Sequence, residues 1–530
     1  MIREIELQTF LFENNPSRVE LLNYQAASCN KFTVSVYRNH SFELVENTIH
    51  AYLDYADIKV NFSYSDYDDS LSFLNLDLSC DLIILWLDIS RYKNINIDAF
   101  LNSRIRHLKV IFKKNILAIP FENNFRLSCD NVICYDTSYV KSLLGEQYKD
   151  ERLEKFSGTK MSLSTCSVIS EDLGLNYIPA ILRPALKCIV VDLDNTLYHG
   201  VLGEDGAENL TLTPYHKQLQ EKLKFLSCQG FFLCIASKNN VDDVIELFSV
   251  RDDFPLKFDD FTKICANWSC KSTSISEIIN ELNINENSVL FIDDNIGEIF
   301  SVKSEYPSIK VILANMNAEI TKKVLSNFPG LLKLSLQKED GIRKGDSLAN
   351  KSRKIMLHSF TREDYLKDLN VELSFSLHCK DYIGRIAELA NKTNQFIFTY
   401  KRYSLSEVAA LLENDKVKVV AVFLKDRLSD SGLIGVVVVR QGAHGAILEE
   451  CFVSCRSLGR GLDKEIVLGA INVALKKLSV SKLQVNLVIG KRNKPACSFI
   501  DDFLAKHKGC YSDFEFNFAN NLLKVNLIGV

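Results

Sequence analysis

No stretch of the 530 residues approaches the ~18 consecutive apolar residues that cross a bilayer, which argues against a membrane-spanning helix. Positive charge is not in excess either. The chain has 63 lysines and arginines against 67 aspartates and glutamates, a net charge of -4, which argues against nucleic acid as a partner. The sequence predicts no secretory leader, since Arg3, Glu4 and Glu6 interrupt the first residues. Internal repeats and low-complexity tracts are missing as well. The 15 cysteines are odd in number, and several, such as Cys188 and Cys234, lie inside apolar runs. Together these features predict reduced thiols and a cytoplasmic location. A composition of 47% hydrophobic and 25% charged residues supplies ample core. At about 100–200 residues per domain, this length predicts two to four domains.

The most informative stretch lies one third of the way along. Four apolar residues, 188–191, lead into Asp192-Leu-Asp194. An apolar run of that length, ended by polar residues, reads as a buried strand of a parallel sheet. Reactive groups in such sheets sit just past the carboxyl ends of the strands. There Asp192 can attack phosphorus, while Asp194 can give a proton to the leaving oxygen and later take one from water. Two neighbouring anions facing an anionic substrate need a cation, so the pair predicts Mg2+.

Downstream the pattern alternates. Helices are predicted over 214–229, 241–250 and 271–282, and strands over 231–237, 261–266, 288–294 and 309–314. This alternation predicts a parallel sheet covered by helices on both faces. It brings Asp192, Asp194, Ser237, Lys271, Asp293 and Asp294 to one rim. There Ser237 can bind a phosphoryl oxygen, and Lys271 can neutralise phosphate and keep Asp192 ionised. Asp293 can complete the metal shell, with Asp294 beside it or one water away. The space between Thr196 and Pro214 is too short for a cap domain and fits a small Gly-rich flap, with His199 a flap residue first.

The order Asp192-x-Asp194-x-Thr196, Ser237, Lys271, Asp293-Asp294 resembles the haloacid dehalogenase (HAD) superfamily of aspartyl-phosphate enzymes. Its FkbH-like branch is resembled more closely, through Asp192 to Leu197 followed by Gly200-Val-Leu-Gly-Glu-Asp-Gly206, Ser237-Lys238-Asn239-Asn240, Trp268-Ser-Cys-Lys271 and Phe291-Ile-Asp-Asp-Asn295. The branch usually carries tryptophan and glycine where this chain has Tyr198 and His199, and proline near Ile296. These departures bear on substrate fit more than on chemistry. The resemblance implies Asp192, Asp194 and Lys271 as catalytic residues and Asp192, Asp194 and Asp293 as metal ligands. It also implies that Thr196, Ser237, Lys238 and Asn239 bind substrate.

Residues 1–180 read as a separate α/β module. Strands are predicted at 33–37, 81–87 and 108–112, and a helix over 42–53 with Ser41 as its cap. Ser41, Asp136 and Asp150 are conceivable hydrolase residues, but no histidine follows at a suitable place, so a structural or partner-binding role is expected. Residues 158–178, polar and rich in Ser and Thr, read as a linker to the central domain over 181–335. In size and place the first module agrees with a degenerate lipase-esterase-like (SGNH) unit often found in the same branch.

The last part, 336–530, begins with a charged linker or exposed helix and continues as an α+β domain. Strands at 433–439 and 447–453 are predicted to be antiparallel. They lead into Arg456-Ser-Leu-Gly459-Arg460-Gly461 and a helix to about 478. A Gly-rich turn at a helix start binds phosphate through its backbone N–H groups. Strand, R-x-x-G-x-G and helix together resemble the pyrophosphate loop of GNAT-type N-acetyltransferases, so Arg456, Gly459 and Gly461 are candidate binding residues. Asn391 to Phe396, Arg402 and Ser454-Cys455-Arg456 also match the FkbH-like C-terminal region. Cys455 lies next to Arg456 and a helix start, both of which lower a thiol pKa. It is a candidate acyl acceptor, or else a small buried residue under the loop.

The resemblance implies a phosphatase and glyceryltransferase. Such an enzyme takes the three-carbon unit of 1,3-bisphosphoglycerate, removes phosphate and loads glycerate on the phosphopantetheine arm of an acyl carrier protein, in polyketide or polysaccharide biosynthesis. Two other readings stand beside it. One is an acyltransferase acting on an amino sugar with an accessory phosphatase; the other is a module that only docks carrier proteins.

Overall fold

The computed structural model describes residues 2–93, 96–112, 114–121, 132–334, 346, 349, 353, 356, 361–377, 379–454, 457–458, 460–490, 492–517 and 523–528. The chain divides into two compact units, Met1–Asn280 with Asn285–Leu336, and Gln337–Val530 with Glu281–Ile284. Among the described residues no helix is long and apolar enough to cross a membrane, and every cysteine is a free thiol.

The first unit contains two parallel sheets. One joins β1 (Lys31–Arg38), β2 (Lys59–Tyr64), β3 (Leu82–Asp88), β4 (Ile116–Phe121) and β5 (Val132–Cys134) in the order β2-β1-β3-β4-β5. All of β3 is buried, so its apolar run continues without alternation. The other joins β6 (Cys188–Val191), β7 (Phe232–Ser237), β8 (Lys263–Ala266), β9 (Val289–Asp293) and β10 (Lys310–Leu313) in the order β10-β9-β6-β7-β8. That is the Rossmann-type order, and it agrees with the predicted strand and helix alternation.

Three expectations for the first module are corrected. Residues 108–112 do not form a strand; 108–111 close the helix Ile97–Ile111, where Leu101, Ile105 and Leu108 are buried at helical spacing. Val110 and Ile111 face water there, and a short apolar run does not separate helix from strand. Ser41 does not cap the helix Glu43–Tyr55, whose N-cap is Phe42; its hydroxyl bonds Glu43 instead. The expected linker is largely helical, over Leu163–Asp172, Leu173–Tyr177 and Ile178–Leu182. Its Ser and Thr residues are compatible with burial because their hydroxyls reach backbone carbonyls, Thr165 to Tyr148 at 2.7 Å and Ser170 to Val45 at 3.3 Å. Gly174 admits the helix Glu43–Tyr55 so closely that a Cβ would lie 2.6 Å from that of Tyr52.

Helical residues of the first module pack onto the central sheet. Leu7, Leu11, Phe12, Tyr52, Tyr55 and Leu175 join Ile189 and Leu290 of that sheet, and Leu186 and Phe328 beside it, in one apolar cluster, while the strands of the first sheet pack in clusters of their own. Gln8, buried at the edge of that sheet, acts toward β10 as another strand would. Its amide donates to the Leu313 carbonyl (2.8 Å) and accepts the Leu313 N–H (3.1 Å). Gln8→Ala removes both bonds from a half-buried strand end and should cost about 1 kcal/mol. The check is a fall in the denaturation midpoint.

The second unit holds β11 (Glu372–Ser376), β12 (Val417–Lys425), β13 (Asp430–Gln441), β14 (Ala446–Val453), β15 (Lys482–Val485), β16 (Ser512–Asp513) and β17 (Lys524–Ile528). They form one mixed sheet, β16-β15-β14-β13-β12-β11-β17, antiparallel from β11 to β14, as expected for β13 and β14, with β15 and β17 joining in parallel. The helix Asp463–Leu478 packs on it through Ile466, Val467, Ile471 and Ala474. β14 and β15 pair only from Ala446 to Leu448. Beyond that point residues 396–401 lie along β14. Ile397 pairs with Phe452, Val488 N–H donates to the Phe398 carbonyl (2.8 Å), and the buried Glu450 carboxylate accepts from the N–H groups of Phe398, Thr399 and Lys401.

Candidate active site

β6 sits at the centre of its sheet, and the chain leaves to opposite sides on either flank of it. The crevice of such a sheet opens at that switch point, between the carboxyl ends of β6 and β9. Asp192 follows β6, Asp293 ends β9, and Asp294 comes next. One carboxylate oxygen from each of Asp192, Asp293 and Asp294 lies within 4.8 Å of the others. Lys271, the first residue of the helix Lys271–Leu282, reaches them with its ammonium 2.6 Å from Asp293 Oδ2 and 2.9 Å from Asp192 Oδ1. Asp192 and Lys271 are each 4% exposed and Asp293 is fully buried, so these charges are poorly screened.

One cation therefore faces three carboxylates. Burial first, and then the neighbouring Asp192, push the Asp293 carboxyl up to about 7 against the pull of Lys271. Burial also raises Asp192, with Lys271 opposing, and raises Asp294. Burial alone lowers a lysine, but the attraction of Asp192 and Asp293 outweighs it and raises Lys271. The carboxylates of the cluster outnumber the lysine that they share. Asp192 Oδ1 is buried and faces the Lys271 ammonium as an ion pair. Three hard oxygen donors that share one lysine fit a small divalent metal ion.

Asp194, expected among the metal ligands, is not in this cluster, and Asp294 takes part instead. Asp194 Oδ1 accepts from the Tyr198 hydroxyl (2.8 Å) and the Leu202 N–H (2.9 Å), and Oδ2 accepts from the Asn239 amide (2.9 Å). The second proton of that amide goes to Ser237 Oγ (3.1 Å), so Ser237, Asn239 and Asp194 form one chain of bonds. Lys238 is paired with Glu298 at 2.5 Å. Thr196 is buried, and its hydroxyl has no partner. Residues 197–213 form the expected small flap, with His199 exposed and bridged to Thr211. Sequence reasoning missed Tyr198 and Asn239 as the holders of Asp194. A phenol four residues beyond the aspartate was the one available signal.

Elsewhere the candidates have other duties. Asp136 and Asp150 cap the helices Thr137–Leu144 and Glu151–Ser157. At the switch point of the first sheet, the Asn39 amide bonds both the N–H (2.7 Å) and the carbonyl (3.0 Å) of Asp88, and Arg91 donates to the Asn39 carbonyl and to the Asp88 carboxylate, which closes the crevice. In the second unit Cys455, Arg456 and Gly459 lie outside the described residues. Gly461 has φ +69°, a conformation that favours glycine. Its neighbour Arg460 is buried against Asp346, Asp426 and Ser431.

No family model and no curated protein matches this chain. Among solved structures, it is similar to the N-terminal part of a Bacteroides fragilis protein containing a phosphatase domain complexed with Mg, at 20% identity, over 60% of this chain and 100% of that one, with a TM-score of 0.48. It is also similar to a predicted HAD-like family hydrolase from Porphyromonas gingivalis, at 16% identity, over 25% of this chain and 93% of that one, with a TM-score of 0.19. A third is a GCN5-related glucosamine N-acetyltransferase region of a fungal multi-domain beta-N-acetylglucosaminidase, at 9% identity, over 95% of this chain and 67% of that one, with a TM-score of 0.20.

Proposed function

We propose that the central sheet carries a Mg2+-dependent phosphatase centre of the HAD type. The observation that carries this reading is the buried cluster of Asp192, Asp293 and Asp294 around a single lysine at the switch point of a Rossmann-type sheet. An oxygen of the Asp192 carboxylate attacks phosphorus and the bond to the leaving oxygen breaks. Asp194 gives that oxygen its proton. Water then attacks the phosphoaspartate, Asp194 takes the proton back, and inorganic phosphate leaves with Asp192 restored. Lys271 and Ser237 hold the phosphoryl oxygens, and the flap aims Asp194 through Tyr198 and Leu202. Mg2+, held by Asp192, Asp293 and Asp294, would supply charge neutralisation to the phosphoryl group.

The finer reading follows from the motif resemblance and from the small size of the flap over 197–213, which suits a substrate carried on another protein. A carrier thiol attacks the acyl carbon of 1,3-bisphosphoglycerate and displaces its acyl phosphate. Removal of the remaining phosphate at Asp192 leaves glycerate as the thioester. Incubation with a holo acyl carrier protein, Mg2+ and bisphosphoglycerate should give a glyceryl thioester by mass spectrometry together with free phosphate. An unmodified carrier with phosphate released overturns the transfer alone; no phosphate from any ester or acyl phosphate overturns the phosphatase.

Metal and proton compete for Asp293. An acid whose folded pKa stands above its usual 3.8 favours the fold while protonated; that contribution is complete below 3.8 and is lost as pH rises through about 7. Mg2+ should therefore raise the denaturation midpoint more at pH 8 than at pH 6, and an equal rise at both would contradict the assignment. Burial and the Asp194 charge push the Tyr198 phenol well above its usual range, which makes it the donor in their bond. Tyr198→Phe should lower kcat about tenfold and leave KM within about twofold.

A further inference from the structure

The chain has two tryptophans, and they sit in opposite surroundings: Trp86 is fully buried, while Trp268 is 70% exposed. Trp268 stands two residues beyond β8 and three before Lys271, on the rim that carries the carboxylate cluster. Its position is fixed from both sides. The N–H of Asn267 donates to the Ser237 carbonyl (3.1 Å), and the indole N–H donates to Asn240 Oδ1 (3.0 Å). Asn240 belongs to the same short loop as Ser237, which is assigned to phosphate, and Asn239, which holds Asp194. Directly after it, Val241 and Ile245, one turn apart on the helix Val241–Val250, are 46% and 47% exposed. Apolar surface thus extends outward from the phosphate loop. An indole held in place by a hydrogen bond has already met most of the ordering cost of contact with a ligand.

Resting on the phosphatase reading above, we infer that Trp268 is a substrate-specificity residue. It packs against the part of the substrate beyond the phosphate, such as the pantetheine arm that would carry the glyceryl unit, and adds affinity where that part offers a planar or apolar face. The test compares p-nitrophenyl phosphate, whose ring can stack, with acetyl phosphate, which has no such face. In Trp268→Ala, KM for p-nitrophenyl phosphate should rise about tenfold with KM for acetyl phosphate within about twofold, and Trp268→Phe should retain most of the affinity for the aryl ester. An equal change for both substrates, or none for either, overturns the inference while leaving the phosphatase in place. Absence of phosphate release from both substrates in the unaltered protein overturns the phosphatase reading and this inference with it. Melting curves of both variants separate loss of fold from loss of contact.

Discussion

Asp192→Asn should reduce phosphate release by about 10^3-fold or more, the scale seen when a covalent nucleophile is removed. The substitution keeps the shape of the side chain and takes away the attacking oxygen anion. It also removes one of two carboxylates that share Lys271. The ion pair between Lys271 and Asp293 survives, so the protein should stay folded, and Asp293, relieved of a like charge, should titrate lower. Phosphate release measured beside a thermal melt separates the two effects. A variant that keeps a tenth of the native rate would falsify the role of Asp192 as nucleophile.

Lys271→Met should damage both rate and stability. The lysine is the one cation in direct contact with Asp192 and Asp293 among the described residues, and its loss leaves buried negative charge unpaired. Breaking a buried pair costs on the order of 3–5 kcal/mol while the remaining charge persists. Here the carboxyls have an escape, because burial already raises Asp192 and brings Asp293 to about 7. The variant should thus be most destabilised in urea at pH 8, much less so at pH 5.5, and partly restored by Mg2+ at the higher pH. Phosphate release should fall about 10^3-fold, since the group that balances charge in the transition state is gone. A uniform loss of stability at both pH values would mean that packing of the lysine stem, and not its charge, is what matters.

The central sheet was legible because its strands are buried on both faces. Such strands read as unbroken apolar runs, and the residue that ends each run, Asp192, Ser237 or Asp293, falls on the rim by necessity. Less legible was what each side chain does once there. Asp194 is drawn out of the cluster by donors from the flap and from the loop after β7, a meeting that depends on the folded arrangement and not on spacing. The helices over 163–182 were hidden for another reason. Their buried face includes hydroxyl residues such as Thr165 and Ser170, whose polarity is cancelled by carbonyls from distant parts of the chain. In 97–111 the helical period was present in Leu101, Ile105 and Leu108, but the dense apolar run at its end obscured it.

Residues 396–401, seated where β14 and β15 part company, bridge β14 to Val488 and keep the sheet hydrogen-bonded past that point. Because the segment is part of the same chain, its local concentration does not fall on dilution, and opening the sheet there would break several backbone bonds at once.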